Sequence, residues 1–211
     1  MKNVKLLLVT LALLLGTTPN AFASGPSDPP RPDQPGQPMP AADKTAPSYD
    51  MKAQSILDLQ SMQKKFVDLA NAIPADKYSW RPADGVRSIS EVFLHIVAAN
   101  YNIPTMMGAQ QQPAYTQDGF EKSTTDKAAI VGQLNKSFAY AEDLVQNMSN
   151  ADFARPEKKL GPDANAGDVV YILVAHAHEH LGQSIAYARL NGVVPPWSAD
   201  AAKKNGQKPQ D

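Results

Sequence analysis

Apolar residues recur at steps of three and four in four stretches of this chain, the spacing that gathers them on one face of an α-helix. Residues 49–72 carry Ile56, Leu59, Met62, Phe66 and Leu69 on one stripe, continued by Ile73, and Pro74 stops it. Residues 88–107 open on Ser-Ile-Ser-Glu, in which Ser88 caps the helix and Glu91 reaches back to it, as a capping box requires. Residues 125–148 align Ile130, Leu134, Phe138, Ala141 and Leu144. Residues 166–190 form the fourth stretch; Asn191 and Gly192 supply a left-handed stop, and Pro195 and Pro196 follow. Alternating, strand-like patterns are scarce. Four helices of about twenty residues, joined by one compact turn and two longer loops, predict an all-α domain built as a four-helix bundle.

The ends of the chain lack this periodicity. The basic start Met-Lys-Asn-Val-Lys, an apolar run at 6–16 and the small-residue pattern Ala21-Phe22-Ala23 read as a signal peptide over 1–23. An uncleaved anchor is the alternative, but the run falls short of the roughly 20 apolar residues of a transmembrane helix. The expected protein is therefore exported, periplasmic or secreted, with no stable membrane insertion after cleavage. Residues 24–48 contain eight prolines and little to bury. They read as a Pro-rich disordered linker, either a tether or a length-tolerant remnant. The bundle domain then spans 49–198, and 199–211 is expected as a polar tail.

Composition removes several chemistries. The chain has no cysteine, which excludes a thiol nucleophile, a disulfide framework and a thiolate metal site. Any metal must be held by His, Asp or Glu. The net charge is −1 and no basic tract appears, so nucleic acid is not an expected partner.

Three of the four histidines fall in His-Ala-His-Glu-His at 176–180. Each helical residue turns by about 100°, so His176 and His180 lie about 40° apart on one face, while His178 points the opposite way. The His176/His180 stripe, continued by Val169, Ile172, Gln183 and Tyr187, is expected to enter the bundle core. Two buried imidazoles need hydrogen bonds or a metal. His95, within Glu-Val-Phe-Leu-His on the second helix, is either an ordinary core histidine or the missing third ligand. Set against an HxxxH pair on another helix, it completes a three-histidine site with an open position for water or substrate.

The stretches YSWRPADGVRSISEVFLHIVAAN (78–100) and HAHEHLGQSIAYARLNGVVPPWS (176–198) resemble the DinB-like (DinB/YfiT) metalloprotein superfamily over about residues 49–198. The resemblance implies a four-helix bundle of the DinB/YfiT type with an unusual connection order. It also implies a metal triad of His95, His176 and His180. The family includes metal-dependent thiol S-transferases and a maleylpyruvate isomerase branch, and a homodimer is in keeping with it.

Several neighbours have two readings each. Glu91 either orients a ligand or only closes the capping box, and Gln183 either bonds a ligand or lines the bundle as an amide paired to backbone. Glu179 is expected to be solvated. Trp80 and Trp197 either wall a pocket or lock loops onto the bundle end, and Arg81 either binds an anionic group or is structural. Tyr187 reads as a core residue with a tethered hydroxyl. The resulting expectation is an exported protein binding one divalent ion, Zn or Ni with Fe as a third candidate. It would be a metal-dependent transferase or hydrolase acting on a small molecule; the alternative is a non-catalytic metal-binding or stress-related protein. No residue is assigned as catalytic beyond the metal set.

Overall fold

The computed structural model describes residues 50–206 and residue 208. The signal segment at 1–23 and the Pro-rich stretch at 24–48 lie outside the described residues. Four long helices make the bundle: α1 (Met51–Ala72), α2 (Ile89–Asn102), α3 (Lys127–Gln146) and α4 (Ala166–Leu190). A fifth, α5 (Pro196–Lys204), follows. No strand occurs among the described residues, and no helix there is long and apolar enough to cross a membrane.

Each of the four long helices begins where its sequence offers a side-chain acceptor to the free amides of the first turn. Asp50 caps α1 through the Ala53 amide, and Asp126 caps α3 through the Ala129 amide. Ser88 and Glu91 make both bonds of the capping box expected at the start of α2. Asn165 and Asp168 do the same for α4. After α4, Gly192 turns the chain with φ 72°, a conformation that favours glycine.

Two boundaries differ from the sequence reading. The second helix was expected to run to Met107, but α-helix gives way at Ile103 to a 3₁₀ turn, Ile103–Met107. Pro104 has no amide to donate to the carbonyl four residues back, so the α ladder cannot continue through it. The stretch from Ala199, expected as a polar tail, instead opens with the second half of α5, and Ala202 is buried. Pro196 stands at the first turn of α5, where a missing amide costs nothing.

The packing order is the distinctive feature. α1 and α2 each lie against both α3 and α4, so the neighbours around the bundle run α1–α3–α2–α4. In an up-down-up-down bundle, by contrast, sequential helices are neighbours. At the centre Phe66 of α1 meets Phe93 of α2 edge-on, with centroids 6.3 Å apart, and Phe138 of α3 at 5.7 Å. The predicted stripes supply this core: Leu59, Met62, Phe66 and Leu69 are buried on α1, and Ile130, Leu134, Phe138 and Ala141 on α3. Burial of such side chains contributes about 1.5–3 kcal/mol each before the entropy of ordering them is counted.

The connection between α1 and α2 is pinned from both sides. The Tyr78 hydroxyl donates to the Ala70 carbonyl at 2.7 Å, and the amides of Ile89 and Ser90 return to the carbonyls of Trp80 and Tyr78. The loop between α2 and α3 folds over α2. It holds a single helical turn at Pro113–Thr116 and a 3₁₀ turn at Phe120–Lys122. Gly119 enters the second of these with φ 80°, and Phe120 is buried beneath it.

Candidate metal centre

α2 and α4 are direct neighbours, and this brings the histidines together across 81 residues of sequence. One nitrogen of each of His95, His176 and His180 lies within 4.8 Å of the others. The rings crowd one another: centroids are 5.0 Å apart for His95 and His176, 4.6 Å for His95 and His180, and 4.5 Å for His176 and His180. His178 is exposed on the opposite side of α4, as the 100° rotation per residue requires, and Glu179 is exposed beside it.

The ends of the predicted stripe, Val169 and Tyr187, are buried in the core, but its middle is not. Leu173, Ala177, Leu181 and Ser184 form the buried face of α4, while His176 and His180 stand half-buried at its edge towards α2. The core side of α4 is already filled by Leu173, Ala177, Leu181 and the small Ser184, so the imidazoles occupy the rim, where polar partners and solvent reach them.

Those partners fix the nitrogen roles. Nδ1 of His95 lies 2.7 Å from Oε1 of Glu121, an acidic residue in the α2–α3 loop. Nδ1 of His180 lies 2.8 Å from Oε1 of Gln183, whose own amide nitrogen donates to the Tyr187 hydroxyl at 3.0 Å. Each Nδ1 therefore carries the proton, leaving the Nε2 lone pair turned away from its partner. Nε2 of His95 and Nε2 of His176 face each other at 3.1 Å. Two neutral lone pairs at that distance repel unless a proton or a cation lies between them.

This donor set fits a first-row divalent ion. It is all imidazole nitrogen, and two ligands of a tetrahedral ion with bonds of about 2.0–2.1 Å lie about 3.3 Å apart. Carboxylate and amide acceptors behind two of the rings are the usual supports of metal-bound histidine.

Electrostatics favour neutral rings. Burial, followed by His180, His95 and Arg87, pushes the His176 imidazole down to about 4. Burial also lowers His95; Glu121 opposes this, while the charge of Arg87 and the neighbouring His180 add to it. Burial would raise the Glu121 carboxyl, but hydrogen bonds from Arg87 and His95 win and hold it below the ordinary range. Arg87 grips Glu121 in a fork, with Nε at 2.6 Å from one oxygen and Nη2 at 3.1 Å from the other.

Glu121 and Arg87 were not legible as site residues, because their position depends on how the α2–α3 loop folds back. Gln183, singled out from the sequence, does contact His180. Glu91 is a different case. Its carboxylate accepts from the Ser88 amide at 2.7 Å and from Arg81 at 3.1 Å, so it fastens the start of α2. Burial would raise its carboxyl, but those bonds keep it low. It lines a shallow depression shared with Arg81, Arg87, Glu121 and Gln183, one step removed from the imidazoles. Arg81 also donates to the Val86 carbonyl at 2.6 Å. Trp80 packs edge-on against Tyr187 at 5.5 Å and fastens the α1–α2 connection to the bundle, while Trp197 of α5 lies under the Lys65 ammonium of α1 at 6.0 Å.

His95 and His176 also form one end of a cavity of about 630 Å³ between α2, α4 and the α2–α3 loop. Three converging imidazoles thus stand beside open space.

Known proteins share this architecture. A DinB-like protein from Bacillus cereus ATCC 10987 is 20% identical, with a TM-score of 0.56 over 66% of this chain and 93% of that one. YfiT from Bacillus subtilis, described as a probable metal-dependent hydrolase with an unusual four-helix bundle topology, is 14% identical, with a TM-score of 0.54 over 72% and 94%. A structure assigned to the DinB family from Exiguobacterium sibiricum 255-15 is 20% identical, with a TM-score of 0.53 over 69% and 95%. At these identities the likeness is one of fold. No curated protein matches the chain. The family model of the DinB superfamily matches residues 58–184. That match spans more than half of the chain and includes all three converging histidines, and the chain accordingly belongs to the DinB superfamily.

Proposed function

We propose that this chain is an exported metal-dependent hydrolase or transferase acting on a small organic molecule, with His95, His176 and His180 holding one divalent ion. The observation that carries the proposal is the convergence of three imidazole nitrogens within 4.8 Å at the end of an open cavity. A three-histidine set with a free position facing a cavity is the arrangement of catalytic rather than closed structural sites. The description of the similar YfiT structure as a probable metal-dependent hydrolase supports the same reading.

When bound, Zn, Ni or Fe at such a centre supplies Lewis-acid chemistry, polarising a substrate oxygen or activating a nucleophile. The chain's own residues prepare it. Glu121 holds the Nδ1 proton of His95 and fixes that ring, while Arg87 holds Glu121. Gln183, itself bonded to Tyr187, does the same for His180. The lowered His176 and His95 keep lone pairs available at neutral pH, so ligation need not first displace a proton. The signal-like start of the sequence supports export.

The test is metal content of the purified full chain, together with turnover of a panel of esters and thiol acceptors before and after chelation. One equivalent of metal, lost in His95→Ala and in His176→Ala along with chelator-sensitive turnover, is the expected result. Stoichiometric metal retained by both variants would overturn the ligand set. A loaded chain inert across the panel would count against catalysis.

A further inference from the structure

We infer that the α2–α3 loop is a metal-responsive strap: an ion on His95 tightens the loop through Glu121, and the closed loop in turn tightens the ion. The inference rests on His95, His176 and His180 being the ligand set.

The loop is built as a unit. The amides of Tyr115, Phe120, Lys122 and Ser123 return to carbonyls within the loop itself, those of Gln112, Gln117, Gly119 and Phe120. It leaves α2 at Gly108, with φ 91°, a joint with no side chain to resist rotation. Two kinds of contact hold it against the bundle. The first is apolar: Tyr115 stacks on Tyr101 of α2 with centroids 4.2 Å apart and planes 13° from parallel, and Phe120 is buried. The second is Glu121. Among the described residues, the two close contacts by which a charged side chain of the loop reaches the bundle are both made by Glu121, to Arg87 and to His95. The aromatic contacts and the Arg87 fork are the same whether or not an ion is bound. The His95 contact is not.

His95 donates its Nδ1 proton to Glu121 and turns Nε2 towards His176. A cation on Nε2 withdraws electron density from the ring. The Nδ1 proton then becomes a stronger donor, and its bond to the carboxylate becomes charge-assisted. With the site empty the donor is a neutral imidazole and the loop is held less firmly. The ion therefore has a differential affinity for the closed loop, the condition for shifting its equilibrium. Linkage makes the effect reciprocal: the factor by which closure raises metal affinity is the factor by which metal favours closure. A carboxylate behind a metal-bound histidine is worth about 10–100-fold in affinity, so loading lowers the open population by about that factor. Residues 115–122 line the cavity. Occupancy of the metal site thus sets how firmly the cavity is roofed.

The loop carries its own probe. Lys122 is exposed, and trypsin cleaves after it only when the loop leaves the helices. The cleavage rate follows the open population when reclosing outpaces cutting. The full chain, metal-stripped or loaded with Zn, is treated with trypsin under native conditions, and the fragment ending at Lys122 is followed by mass spectrometry. Zn should slow this cleavage about 10–100-fold in the wild type. Glu121→Gln, compared stripped and fully loaded, should lose most of that effect. The variant also controls for global stabilisation by the metal, which acts on both chains alike. Arg87→Gln removes the tie that ignores the metal, so it should be cut faster in both states yet keep the Zn effect. Hydrogen exchange over residues 113–123 should rank the samples in the same order. Metal content of the same samples separates the two readings. Zn bound to the wild type with cleavage unchanged, or an equal Zn effect in Glu121→Gln, overturns the inference and leaves the ligand set standing. Zn retained in full by both His95→Ala and His176→Ala overturns both.

Discussion

Glu121 accepts the Nδ1 proton of His95 across 2.7 Å while Arg87 grips the same carboxylate. This relay runs from the loop to the bundle and sets which nitrogen of His95 faces His176. Glu121→Gln keeps the shape but removes the charge. If the carboxylate supports a metal ligand, affinity for Zn should fall about 10–100-fold, read by competition with a chromogenic chelator. An unchanged affinity would leave Glu121 as a loop fastener for Arg87 alone.

Gln183 supports His180 with a neutral amide, a weaker acceptor than a carboxylate. Gln183→Ala should therefore reduce Zn affinity less than Glu121→Gln does. A larger loss than at Glu121 would show that the amide contacts the ion or the substrate directly.

His178 is exposed on the far side of α4. His178→Ala should leave metal content at the wild-type value by elemental analysis, whereas His180→Ala should not. Metal loss in the His178 variant would mean that α4 does not present its histidines as the helix geometry requires.

The lowered His176 gives the metal-stripped chain a definite pH dependence. An unfolded imidazole titrates near 6.5, whereas His176 in the fold titrates at about 4 and His95 is also lowered. Between those values the unfolded chain binds more protons than the folded one, so stability falls as pH drops through that window. Thermal unfolding of the stripped chain should show a lower midpoint at pH 5 than at pH 7, and His176→Gln should flatten the slope. A stripped chain equally stable at both pH values would contradict neutral, half-buried rings.

Glu91 and Phe66 separate stability from function. Glu91→Ala removes the acceptor of the Ser88 amide and the partner of Arg81, and should cost about 1 kcal/mol with metal retained. Phe66→Ala opens the centre of the bundle and should cost about 3–5 kcal/mol in denaturant titration. Metal loss in a folded Glu91→Ala chain would return Glu91 to the site.

Periodicity carried most of the fold. Stripes such as Leu59–Met62–Phe66–Leu69 and caps such as Ser88 with Glu91 are local features, written within one or two turns of chain. The pairing of His95 with His176 and His180 was also legible, because HxxxH has a fixed geometry on a helix and only one other histidine remained outside the 176–180 cluster. Glu121 was not. It reaches His95 through a loop whose course depends on the Gly119 turn and the burial of Phe120, and neither has a period. The same holds for α5, whose polar outer face conceals the buried Ala202. The rim position of the imidazoles was also hidden, since a helical wheel gives direction but not how closely the next helix approaches.

The order of the helices around the bundle bears on how the chain assembles. α1 does not pack chiefly on α2, nor α3 on α4, so among the four long helices α2 and α3 are the one consecutive pair that can close as a hairpin. α1 meets α3, and α2 meets α4, only across an intervening helix, which raises the mean sequence separation of native contacts and slows folding relative to a simple up-and-down bundle. The histidine cluster sits at one of these closures, between α2 and α4. A competent cluster therefore requires a contact that bridges α3, and only a chain that has made it presents all three imidazoles together.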